Sequence, residues 1–333
     1  MTTLRNVENH FMPKMSLPIA PVSFFGMVLG LIGLGGGWRA AHAVYGAPAY
    51  IGEAIMLAGA LVWLVVLILY ILKWVLARPA ALAEIGHPVQ SGFVGLAGVS
   101  TLLVSVAAAP FWREGSIVLL LAGAAFTLGF GIWRTGGLWR GGRDPAAATP
   151  VLYLPTVAGC FVTAIACGAL GFTDWGQLAF GAGLFSWLAM ESVLLHRFQH
   201  GDALAPALRP TLGIQIAPPV VGALAYLSVS HGAPDIFARA LIGYGLLQLL
   251  LIARLLPWIL QQPLSPAYWA FTFGLTALAT SALLLVARGE TGALALLAPW
   301  LLTLATLVVA GTSAHSLWLL VRGRLLPAAI LAR

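Results

Sequence analysis

The chain has 333 residues, of which 60% are hydrophobic and only 8% charged, and its formal net charge is +7. A soluble domain needs roughly a quarter charged residues to cover its surface, so the solvent this chain faces is mostly lipid. That excludes an ordinary soluble protein, and no nucleic-acid partner is expected.

The first sixteen residues, MTTLRNVENHFMPKMS, are polar and contain no apolar core. No cleavable signal peptide is therefore expected, and the first apolar segment serves as the insertion signal. A helical span needs about 20 mostly apolar residues. Ten such segments follow, near 18–38, 50–73, 88–109, 116–133, 151–170, 176–195, 211–229, 236–256, 267–287 and 294–320. The reading is an all-α integral membrane protein of five helix hairpins, with a transmembrane domain over 18–322 between short termini at 1–17 and 323–333. Of the 17 Lys and Arg residues, 13 fall on the side shared by the termini and the even-to-odd loops. The positive-inside bias places both termini in the cytoplasm.

The even segments are plain apolar helices; AIMLAGALVWLVVLILYILKW (Ala54 to Trp74) has no hydroxyl and no proline. The odd segments differ. The first carries Pro18, Pro21 and a series of glycines, and the third has Pro88, Gln90, Ser91, Ser100, Thr101 and Ser105. The fifth has Pro155, Thr156 and Thr163, and the seventh Gln215, Pro218 and Pro219. The ninth, YWAFTFGLTALAT, follows Pro266 and spaces Thr272, Thr276 and Thr280 along one helix. Proline within a span frees a carbonyl, which is tolerated where protein or a cavity re-satisfies it. The alternation predicts a ring of five special helices around a central pore, with the plain ones outside. Pro155, Thr156, Pro218 and Thr276 are candidate pore-lining residues. Tight packing through small residues is the alternative reading of the same pattern.

No Asp, Glu, Lys or Arg falls within the odd segments. Proton-coupled carriers and cation pathways usually place charge at mid-membrane. A neutral wall of hydroxyls with partial positive charge at interrupted helix ends suits weakly held anions. Glu191 lies about one turn from His196 and Arg197, and a structural pairing there is expected. No metal site, cofactor or nucleotide loop is predicted. Cys160 and Cys167 lie about 10 Å apart along one helix, too far for a disulfide, and read as packing residues. The loop GLWRGGRDP (Gly137 to Pro145) reads as a cytoplasmic turn in contact with lipid headgroups.

Seven stretches carry a family resemblance: SFFGMVLG in the first span, HPV at 87–89, GLWRGG at 137–142, YLPTVA at 153–158, LGIQIAP at 212–218, GYGLLQLL at 243–250 and WAFTFG at 269–274. In this order the chain resembles the tellurite-resistance/dicarboxylate transporter (TehA-type) family, kin to the plant slow anion channels. The resemblance implies a homotrimer of ten-helix protomers in the bacterial inner membrane, surrounded by lipid, each with its own pore for small inorganic or organic anions. It implies that Phe273, not Phe271, occludes the pore and that Gly26 leaves room beside the ring. Two positions depart from the family pattern: Ser192 stands where a proline follows the sixth-span glutamate, and Cys160 where an asparagine is expected. The functional expectation is an anion channel or facilitator linked to tellurite resistance. A proton-coupled exporter of tellurite or dicarboxylate anions is the alternative, and a membrane enzyme finds no convergent side chains.

Overall fold

The computed structural model describes residues 19–326. The segments 1–17 and most of 323–333, with Pro18, Arg5, Lys14 and Arg333, lie outside the described residues. Ten helical rods long and apolar enough to cross a membrane run Val22–Tyr45, Ala49–Leu76, Gln90–Ala108, Arg113–Leu138, Pro150–Leu170, Thr173–His200, Pro206–Val229, Ile236–Ile259, Pro266–Ala287 and Ala293–Val321. The order matches the expected spans, with several rods longer by a turn or two where polar residues extend a helix beyond its apolar stretch. One element was not expected. RPAALAEIG folds as a short surface helix, Arg78–Gly86, started by Pro79 in its first turn, where a missing N–H costs nothing.

Burial separates the spans into two layers. In the odd spans 67 to 78% of the apolar window is inside the protein, and in the even spans only 22 to 33%. The first span packs on the third, the third on the fifth, the fifth on the seventh, the seventh on the ninth, and the ninth back on the first. That closes a ring. Because spans alternate in direction, the five odd ones are parallel and begin at the same face.

Glycine sets the spacing at four of the ring's joints, where an added Cβ would meet the neighbour at 3 Å or less. Gly30 and Gly33 accept the ninth span, Gly95 the fifth at Pro155, Gly168 the seventh, and Gly274 the seventh at Ala217. Both cysteines are free, and their Cβ atoms pack against Gly183 and Gly176 of the sixth span.

The even spans are held to the ring by a few polar ties. Trp63 donates to Thr101 at 3.1 Å, Trp38 to Thr306 at 3.2 Å, and Trp269 to Ser316 at 2.9 Å. Their outer faces expose leucine, valine and isoleucine, as lipid contact requires.

Candidate functional site

Every odd span begins irregularly. Val22–Phe24, Pro150–Leu152, Pro206–Ile216 and Pro266–Phe271 are tight 3-10 turns, Leu154–Ala158 is a π turn, and the third span starts with the short helix Gln90–Val94. Proline at or near each start removes a donor and constrains the first turn. These irregular starts converge on a cavity of about 150 Å³, lined by residues of the five odd spans alone.

The cavity wall carries no charged side chain. Its polar groups include Ser23, Gln90 and Thr211, and Pro218 and Gly26 lie in the wall. The cavity-lining residue farthest along each span is apolar: Leu29, Leu96, Phe161, Val221 and Phe273. Phe273 lines the cavity and is only 8% exposed. Phe271 is elsewhere. It stacks on Tyr268 with centroids 5.9 Å apart, and its ring fills the notch left by Gly213 on the seventh span.

The sequence profile of the voltage-dependent anion channel family (SLAC1) matches residues 20–317. The chain belongs to this family. It is 36% identical over 263 residues to the tellurite resistance protein TehA homolog of Haemophilus influenzae, a match covering 79% of the chain and 80% of that protein. An uncharacterized transporter of Methanocaldococcus jannaschii is 25% identical over 66% of the chain and 70% of its own length. An S-type anion channel of Arabidopsis thaliana is 23% identical over 78% of the chain and 51% of its own length.

In this member of the voltage-dependent anion channel family, not every pore candidate reaches the cavity. Pro218, Gly26 and Phe273 do. Pro155 and Thr156 do not line it. The π turn rotates them outward, where the Thr156 and Thr135 hydroxyls share a hydrogen bond of 2.7 Å with the fourth span. Thr276 is also off the cavity. The threonine row faces the glycine row of the first span: a Cβ on Gly30 would meet Thr272 Oγ1 at 2.3 Å, and one on Gly33 would meet Thr276 Oγ1 at 2.3 Å. Thr272, Thr276 and Thr280 each donate to a carbonyl three or four residues back. Their hydroxyls are spent within the helix, so the row is a packing seam.

Gly26 faces open cavity, with Trp269 Cβ at 3.9 Å from an added Cβ. The glycine against the Phe273 ring is Gly33, whose added Cβ would lie 3.2 Å from it.

Glu191 is a buried group the sequence reading misplaced. It contacts neither His196 nor Arg197; Arg197 donates instead to the Asp202 carbonyl at 2.6 Å. The Glu191 carboxylate accepts from the Tyr153 hydroxyl, from Trp187 Nε1 at 2.9 Å, and from Gln215 Nε2 at 3.0 Å. Tyr244 donates at 2.7 Å and Gln248 at 3.3 Å. These donors come from the fifth, sixth, seventh and eighth spans, and Tyr153 is also in the cavity wall. The signal available in the sequence was an acid within one span and tyrosines and glutamines within others, but no spacing links residues so far apart in the chain.

Among the described residues, no group of three or more His, Cys, Asp or Glu is arranged to hold a metal ion.

Proposed function

We propose that the chain is an anion channel or facilitator of a bacterial inner membrane, with both termini in the cytoplasm, passing small inorganic or organic anions through the ring of each protomer. The observation that carries this reading is the uncharged cavity walled by the odd spans, whose farthest lining residue on each span is apolar and on the ninth is Phe273; we read these five as its floor. An anion entering it meets hydroxyl and amide groups and the partially positive starts of five parallel spans. Without a fixed cation such an ion is held weakly, which conduction requires. At the floor a dehydrated anion finds no donor, so the apolar set blocks it. Phe273 is the gate in this reading, because rotation of one ring opens the floor on its side. The protomers assemble as a homotrimer through even spans, and tellurite resistance follows from permeation by the oxyanion.

The test is chloride and nitrate current across membranes containing wild type, Phe273→Ala and Phe271→Ala. A quiet wild type, a conducting and anion-selective Phe273→Ala, and a quiet Phe271→Ala are expected. Equal currents from the two variants would remove Phe273 from the gate.

A second reading, a proton-coupled exporter of tellurite or dicarboxylate anions, draws on one observation. Glu191 is a membrane-embedded acid hydrogen-bonded to Tyr153 of the cavity wall, and acids at such depth tend to mark function. Uptake or efflux driven by a pH gradient in wild type, abolished by Glu191→Gln, would favour the exporter over the channel.

A further inference from the structure

Beside the pore cavity, three elements meet at the face where the odd spans begin: the turn into the third span, the end of the fourth span, and the loop leading to the fifth. Arg134 and Arg143 both donate to the Pro88 carbonyl there, at 3.1 Å, and the same Arg143 Nη2 also donates to the Ala147 carbonyl at 2.5 Å. The chain brings Arg143 back onto Arg134 through Gly141 and Gly142, two consecutive left-handed residues with φ of 78° and 75°. Side-chain-bearing residues are strained in that conformation.

The charges are not neutralised. Among the described residues the ion pairs are Arg39–Glu53, Lys73–Glu84 and Arg239–Glu290, and neither Arg134 nor Arg143 is in one. The adjacent acid, Asp144, turns into its own loop and accepts the Ala146 N–H at 2.9 Å. Burial and then the Arg134 charge press Arg143 below the ordinary guanidinium range, against a smaller opposing pull from Asp144.

Between the two arginines is a notch of about 10 Å³ whose lining includes Thr135 and Thr149. Thr149 is fully buried, and its hydroxyl has no partner; Arg143 Nε is also buried without one. The Thr135 hydroxyl is taken up by Thr156. Two unmet polar groups in a space of that size suit a single oxygen atom. The guanidinium N–H groups that the Pro88 and Ala147 carbonyls leave free suit the other oxygens of the same anion.

We propose that this notch binds a phosphate group, with one phosphoryl oxygen directed at Thr149 and Arg143 Nε and the others at the two guanidinium groups. The same chemistry is offered by an anionic phospholipid headgroup and by soluble phosphate. Trp133 and Trp139, both strongly exposed, lie at this end of the fourth span, and indole rings favour the headgroup level of a membrane. The notch is separate from the conduit and stands whether or not Phe273 gates it. It has a route to the pore, because the Pro88 carbonyl begins the turn into the third span, whose Gln90 and Phe93 line the cavity.

The test is thermal unfolding of full-length protein in phosphatidylcholine nanodiscs, with phosphatidylglycerol added in one arm and inorganic phosphate at matched ionic strength in the other. Wild type should gain several degrees in at least one arm. A gain with phosphatidylglycerol alone identifies a headgroup site, and a gain with phosphate alone a soluble ligand. Arg134→Gln/Arg143→Gln should lose the gain, with an affinity weaker by about ten-fold or more, since two charge-assisted bonds are removed. If that variant does not fold, Thr149→Val, which removes no charge, should reduce the gain. No gain in either arm, or a gain of wild-type size in the folded variants, overturns the proposal.

Discussion

Glu191 shows how much one side chain organises. Its carboxylate accepts hydrogens from five residues on four spans, tying two outer helices, the sixth and eighth spans, to the ring. Each buried donor left unmade costs about 1–3 kcal/mol. Glu191→Ala strands several at once and should lower stability by at least about 3 kcal/mol. Denaturant or thermal unfolding in micelles measures it, and a wild-type midpoint would show that the cluster holds nothing together. Glu191→Gln keeps one acceptor oxygen, so its loss should be smaller. The carboxylate was visible in the sequence, but its partners were not. They lie 24 to 57 residues away along the chain apart from Trp187, and only folding brings them together.

Between elements, the seam of the first and ninth spans separates two readings of the threonine row. The hydroxyls are bonded within their own helix and pressed into glycine notches. Thr276→Val replaces the hydroxyl by a methyl and removes the local bond to the Phe273 carbonyl, whose net worth is small, so conductance of the Phe273→Ala background should stay within about two-fold of its starting value. A large drop would return Thr276 to the pore wall. Gly33→Val, by contrast, puts atoms where Thr276 and Phe273 already sit, and overpacking of this kind costs about 1–3 kcal/mol or more. The eighth span offers a simpler check. Asp235 caps its start, accepting the Ala238 N–H at 2.8 Å, and also accepts the Tyr226 hydroxyl at 2.6 Å. Those bonds, the backbone one first, hold its carboxyl below the ordinary range. Its stabilisation is therefore complete above the ordinary carboxylate value and fades as the pH falls through the lowered one. Asp235→Ala should cost about 1 kcal/mol at neutral pH, and wild type and variant should converge in strong acid.

For the whole molecule, the division into a buried odd ring and a lipid-facing even layer makes one further prediction. With Cys160 and Cys167 replaced by serine, single cysteines at Trp139 and at His231 should react with a membrane-impermeant maleimide from opposite sides of intact cells. The loop at Trp139 should be shielded and the one at His231 labelled, if the face where the odd spans begin is cytoplasmic. Reversed labelling would invert the topology drawn from the Lys and Arg bias.

The sequence by itself determined the ten spans, their alternation and which five lie inside. Lipid accepts spans whose backbone groups are satisfied within the protein, so proline, glycine and hydroxyls are concentrated in the spans that protein surrounds, although the outer spans also carry Pro257 and Pro299. The same composition left pore wall and packing seam indistinguishable, and the tertiary structure decided between them. The 3-10 and π turns at the span starts shift the helical phase. Thr156 thereby turns outward, while the glycines of the first span draw the threonine row into contact. Ring closure leaves Phe273 in the cavity wall and Phe271 against Gly213. Two residues two places apart in one motif thus face different surroundings, because their side chains leave the helix in different directions and only the neighbouring spans fix what each one meets.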